Sequence, residues 1–166
     1  MSVRMIYHER GIDYVDDPYA LPGPQAYAVK CGRSKDYYRD SIKRLVQAML
    51  NNDDGDIEPE MVGLEESFSP RFTRVQIRDM ILVRHEKIKD AFGTGIGKRL
   101  QRLDSDIALD LITRLMDDGR LCLPIHDGFV VDEANEGLLM HRMRVSYHQV
   151  LGYYPIIKHV QGGHLL

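Results

Sequence analysis

The reading of the fold turns on Leu121-Cys122-Leu123-Pro124-Ile125-His126-Asp127-Gly128-Phe129-Val130-Val131. In it a His-Asp pair and a glycine separate two short apolar runs. Asp-Gly between apolar residues is the strongest short-range signal of a β-hairpin, because glycine adopts positive φ without strain. The stretch therefore predicts strand, tight turn, strand, with a carboxylate at the tip. A carboxylate held there can bind a hard divalent cation. An ordinary turn, whose aspartate only caps its own backbone, satisfies the same residues.

Working outward, the clearest helix precedes this stretch, from about Arg99 to Asp118, with Gly119 as its stop. Its apolar stripe is Leu100, Leu103, Ile107, Leu111, Leu115 and Met116, with Gln101, Asp104 and Ser105 on the polar side. After the hairpin a helix is expected from about Glu133 to Leu151, carrying Leu138, Leu139, Met143, Val145 and Val150, and then a strand from Pro155 to Val160. Upstream, Ser34 or Asp36 can cap a helix with Ile42, Leu45, Val46, Met49 and Leu50 on one face, ending near Asn51-Asn52-Asp53-Asp54-Gly55. Residues from about 52 to 70 read as an exposed acidic loop. Thr73 starts a long helix to about Phe92, with Ile77, Met80, Ile81, Ile88 and Phe92 on its buried side.

Gly93-Thr94-Gly95-Ile96-Gly97-Lys98 matches neither a Walker A loop nor the dinucleotide G-x-G-x-x-G spacing, and reads as a flexible turn between helices. Residues 1–10 suit a strand end or a short helix. Asp16-Asp17-Pro18 and Leu21-Pro22-Gly23-Pro24 mark loop, since proline removes a donor and turns its predecessor away from helix. Helices first, then helix, hairpin, helix and strand, give an α+β fold of helices on a small antiparallel sheet.

At 166 residues the chain is read as one domain, 1–166, long enough for its own core. Hydrophobic content of 43% is that of an ordinary globular protein. No apolar run approaches the roughly 20 residues of a membrane span, and no signal-peptide pattern opens the sequence. Cys31 and Cys122 stand far apart and read as reduced thiols, so a cytoplasmic protein is expected, although a disulfide is compatible with the sequence. Scattered histidines without a C-x-x-C pair exclude a structural zinc site of the usual kind.

The net charge of −3 conceals an asymmetry. From Asp53 to Glu66 there are seven acids and no base. From Arg71 to Arg102 there are nine bases against three acids, and a second basic cluster comprises Lys30, Arg33, Lys35, Arg39, Lys43 and Arg44. Such clusters suit phosphates, and each also suits a solvated helix face.

The order of these motifs resembles the palm and fingers of family A DNA polymerases, whose core is shared by the single-subunit phage-type RNA polymerases. His126-Asp127 resembles motif C, where the aspartate binds the catalytic magnesium ions; Gly128 stands where the family has a further polar residue. Arg39-Asp40-Ser41-Ile42-Lys43 resembles motif B, whose two cations, one helical turn apart, meet the nucleoside triphosphate. Asn51 stands where the family has an aromatic residue. Gln101 to Asp106 resembles the Gln-Gly-Thr-Ala-Ala-Asp helix start, with Gln101 facing template or primer. Arg4 and His8 resemble the end of motif A, whose own aspartate would fall before Met1. Members of this shorter type are associated with phages, prophages or plasmids.

The resemblance implies nucleotidyl transfer with two magnesium ions held by two carboxylates. Asp127 is the one in this chain, with His126 beside it. Asp13, Asp16 and Asp17 lie in a loop beyond the motif A strand. The expectation is thus a fragment or degenerate form of such a polymerase, truncated or naturally short, inactive alone. Its implied partners are DNA, nucleoside triphosphate and the missing N-terminal part of the same protein. Two other classes fit the residues: a non-catalytic nucleic-acid-binding replication accessory protein, and a metal-dependent phosphohydrolase using His126 and Asp127.

Overall fold

The computed structural model describes residues 2–55, 68, 71–125, 128–155 and 157. These are mostly helical with one two-stranded antiparallel sheet, an α+β arrangement as the patterns predict. The chain divides into two compact units, Met1–Arg102 and Leu103–Leu166.

The first unit contains α1 (Ser2–Glu9), α2 (Pro22–Lys30), α3 (Arg39–Asn51), α4 (Arg74–Arg84), a 3-10 helix at Glu86–Ala91 and the start of α5 (Ile96–Asp117). In α3 the expected stripe is the buried one: Ile42, Leu45, Val46, Met49 and Leu50 are all inside. Each such side chain contributes about 1.5–3 kcal/mol on burial. Of the two options for the N-terminal stretch, Ser2–Glu9 takes the helical one, with Val3, Met5, Ile6 and Tyr7 buried.

Pro22-Gly23-Pro24, expected as loop, opens α2 instead. Proline is tolerated in a first turn because the N–H groups there have no helical partner in any case. Thr73 caps α4 as expected: its Oγ1 accepts from Gln76 N, and Gln76 Oε1 accepts from Thr73 N at 2.9 Å. That α-helix stops at Arg84, short of the expected Phe92, and a 3-10 turn continues. The break is at His85, whose ring is fully buried and fixed at both nitrogens. Nε2 donates to Pro18 O at 2.9 Å, which leaves Nδ1 to accept from the Tyr7 hydroxyl at 3.2 Å. Burial also pushes the His85 pKa down, so the neutral ring is favoured.

The second unit contains the rest of α5, β1 (Leu123–Ile125), β2 (Gly128–Val130), a 3-10 turn at Glu133–Asn135 and α6 (Glu136–Leu151). Helix α5 ends on Gly119 with φ 70°, where Arg120 N donates to Leu115 O and Gly119 N to Met116 O. That pair of bonds is a Schellman motif, and glycine meets the left-handed geometry without a Cβ penalty. Leu111, Leu115, Cys122 and Leu139 form the core, with Ile112, Phe129, Val131, Leu138 and Met143 packed against it. Met116 is exposed, one residue and so about 100° round the helix from Leu115. Val150 is exposed as well, and the strand expected from Pro155 to Val160 falls largely outside the described residues.

Candidate functional site

Arg39 and Lys43 stand one turn apart on α3, but the side chains have different company. Arg39 forks onto Asp17: Nε donates to Oδ2 at 2.7 Å and Nη2 to Oδ1 at 3.3 Å. Its guanidinium also lies 5.3 Å from the Tyr19 ring centroid. Burial raises the Asp17 pKa, yet the bonds from Arg39 and the Tyr19 N–H outweigh it and hold the carboxyl below the usual range. The loop carrying Asp17 is held in turn by Arg4, which donates to Val15 O at 2.9 Å, and by Arg84, which pairs with Asp16 at 3.1 Å.

Lys43 lines a shallow groove of about 470 Å³ on α3 with Asp40, Arg44, Gln47, Ala48 and Asn51. Lys43 and Arg44 are exposed and have no ion pair among the described residues. At one end of the groove the Asn51 Oδ1 is buried without a hydrogen-bond partner. Beside it sits the glycine-rich turn. A Cβ on Gly97 would lie 2.1 Å from that Oδ1 and 3.1 Å from Leu50 O. Gly93 N donates to Met49 O at 2.8 Å, Gly95 N bonds Asn52 O, and Lys98 pairs with Asp53. This turn, expected to be flexible, is seated on the C-terminal end of α3, and its glycines are what allow the two backbones to meet.

The two basic clusters separate clearly. In the segment 71–102, the bases ion-paired to carboxylates among the described residues include Arg78 with Asp79, Arg84 with Asp16, Lys89 with Glu86, Lys98 with Asp53 and Arg99 with Glu9. In the segment 30–44, Arg39 is paired, while Lys30, Arg33, Lys35, Lys43 and Arg44 have no such partner among the described residues.

Gln101 is exposed on α5. The hairpin strands are present as the sequence predicts: Leu123 pairs with Val130, Pro124 with Phe129 and Ile125 with Gly128. His126 and Asp127, the residues between them, lie outside the described residues. Among the described residues no group of three or more His, Cys, Asp or Glu side chains converges as a metal site. No helix among the described residues is long and apolar enough to cross a membrane.

Compared with known proteins, the chain matches no family model, no curated protein and no solved structure. Two residues of the α3 surroundings were missed in the sequence. Asp17 is 22 positions from Arg39 and carries no local pattern that pairs them. Tyr37, an exposed aromatic inside the basic segment, had a readable signal in its position between Lys35 and Arg39.

Proposed function

We propose that the chain is the palm-and-fingers part of a family A-like nucleic acid polymerase. In this reading α3 presents Lys43, with Arg39, to the phosphates of a nucleoside triphosphate, Gln101 lies on the template or primer side, and Asp127 is one of two carboxylates that hold magnesium. The observation that carries the reading is the hairpin. Leu123–Ile125 pairs antiparallel with Gly128–Val130, and Ile125 opposes Gly128, which supports the reading of the intervening sequence His126-Asp127 as resembling motif C. Magnesium, when bound, would polarise the phosphates and activate the attacking hydroxyl.

The resemblance assigns one of the two carboxylates to this chain, so the chain alone is proposed to bind substrate without extending a primer. Binding of a deoxynucleoside triphosphate, followed by calorimetry, should weaken about ten-fold in Lys43→Ala, the loss of one charge-assisted phosphate contact. Equal binding by wild type and Lys43→Ala would sink the phosphate role. Magnesium-dependent primer extension that Asp127→Ala abolishes would overturn the proposed inactivity. A non-catalytic nucleic-acid-binding accessory role is the second reading, favoured by the cations of residues 30–44 that have no ion pair among the described residues. Primer–template binding that Asp127→Ala, added magnesium and added nucleotide all leave unchanged would select it.

A further inference from the structure

We propose that the segment from Lys30 to Arg44 is a docking surface for single-stranded nucleic acid. Tyr37 is its base-stacking platform, and Lys30, Arg33, Lys35, Lys43 and Arg44 are its phosphate contacts. The inference goes beyond the polymerase reading and needs neither Asp127 nor any metal.

Tyr37 carries the argument. The residue is 51% exposed, and it is flanked by charged residues. The ring is nevertheless held in place: it meets the buried Tyr38 edge-on, with centroids 4.9 Å apart at 89°. Tyr38 is anchored in turn by Phe72, at 5.9 Å and 88°. An exposed aromatic on a fixed base loses little entropy when a planar group stacks on it. A cation already sits over the ring: the Arg33 guanidinium carbon lies 4.2 Å from the Tyr37 centroid. A nucleobase can stack on the outer face of that guanidinium or take its place on the ring.

The charges fit the same ligand. The segment holds six bases, of which Arg39 is neutralised by Asp17, and two acids, Asp36 and Asp40. The Asp40 carboxylate is 94% exposed and makes a long pair with Arg39 at 3.9 Å. Among the described residues Lys30, Lys35, Lys43 and Arg44 have no carboxylate partner, and Arg33 lies over Tyr37, so these cations can follow a phosphate backbone. Cations interleaved with an exposed aromatic are what single-strand binding uses, because every base has a stacking face and an unpaired strand exposes it. A duplex hides those faces, and an acidic protein offers the charge without the bases.

The test is fluorescence anisotropy with the full chain and a labelled oligothymidylate of about 20 nucleotides, beside the same-length duplex and inorganic polyphosphate. Wild type should bind the single strand more tightly than the duplex, with affinity falling as salt rises. Tyr37→Ala should weaken single-strand binding about five-fold or more, the scale of one stacked base, while Tyr37→Phe keeps it. Polyphosphate binding should ignore Tyr37→Ala and fall in Lys43→Ala/Arg44→Ala. Asp127→Ala should bind the single strand like wild type, which keeps failure of the polymerase reading separate from failure here. Equal single-strand binding by Tyr37→Ala and wild type overturns the proposal, as does a duplex bound as tightly as the single strand.

Discussion

The segments 30–44 and 71–102 are both dense in positive charge, and they use it in opposite ways. In 71–102 three of the bases reach carboxylates far away in sequence: Arg84 meets Asp16, Lys98 meets Asp53 and Arg99 meets Glu9. These cations tie the first unit to itself. In 30–44, among the described residues, one base, Arg39, is spent that way, on Asp17; the others are exposed, with Arg33 over Tyr37 and Lys43 and Arg44 along the α3 groove. Charge density along a sequence counts bases. Whether a base is available to a polyanion depends on where the acids come to lie.

The largest effect that tests this contrast concerns the glycine-rich turn of the second segment. If that turn is a seat for α3, Gly97→Ala must drive a methyl group into Asn51 Oδ1 and Leu50 O. Overpacking of this kind costs about 1–3 kcal/mol. Urea unfolding should show that loss with an unchanged m-value, and a variant as stable as wild type would mean the turn is as loose as its glycines suggest.

Next in size is charge reversal in the first segment. Lys43→Glu with Arg44→Glu should lower affinity for a single strand about ten-fold or more, and cut the slope of log K against log salt by about 1.4, two phosphate contacts at ~0.7 each. Thermal stability should hardly change, since neither side chain has an ion pair to lose among the described residues. A fall in melting temperature larger than the fall in affinity would reverse the roles assigned to the two segments.

How much of this could be read in advance follows from the range of each interaction. The α3 stripe was legible because Ile42, Leu45, Val46, Met49 and Leu50 repeat with the helical period and all point inward. The helix start at Thr73, the Gly119 stop and the hairpin strands were legible for the same reason: each is decided within a few residues. The break at His85 was not, because the bonds that hold its ring come from Tyr7 and Pro18, 78 and 67 positions away. Periodicity continued through Ile88 and Phe92, both buried, and so favoured one long helix over two short ones. For the candidate site, the Arg39 and Lys43 spacing was visible, and the pairing that separates their roles was not. Asp17 sits in a stretch that reads only as loop, and its meeting with Arg39 is a product of tertiary folding.

That pairing gives a smaller test. Asp17→Asn keeps the shape and removes the charge, so Arg39 is released to an incoming anion. Polyphosphate affinity should rise a few-fold, and the further change Arg39→Ala should cancel the gain. Acid stability should change too. The Asp17 carboxyl titrates below its ordinary value in the folded chain, so its contribution is present above that ordinary value and is lost as pH falls through the depressed one. Melting temperatures followed from pH 6 down to pH 3, a range on the order of that carboxylate transition, should fall less steeply in Asp17→Asn than in wild type. Parallel curves would show that Arg39 does not depend on this carboxylate.

The smallest expected effect is in the second segment again. Arg99 pairs with Glu9 at 2.6 Å, and both side chains remain about half open to water. An exposed pair contributes about 0.2–1 kcal/mol, because solvent screens it and both side chains lose freedom to make it. Arg99→Ala should therefore cost stability of that order, a cost that high salt shrinks and that Glu9→Gln does not add to. Single-strand affinity should stay as it is, because this cation is already committed within the chain. A loss of affinity in Arg99→Ala as large as that of the Lys43 and Arg44 reversals would mean that Glu9 gives way to phosphate. Intramolecular pairing would then fail as the criterion that separates the two segments, and the binding surface would have to include both.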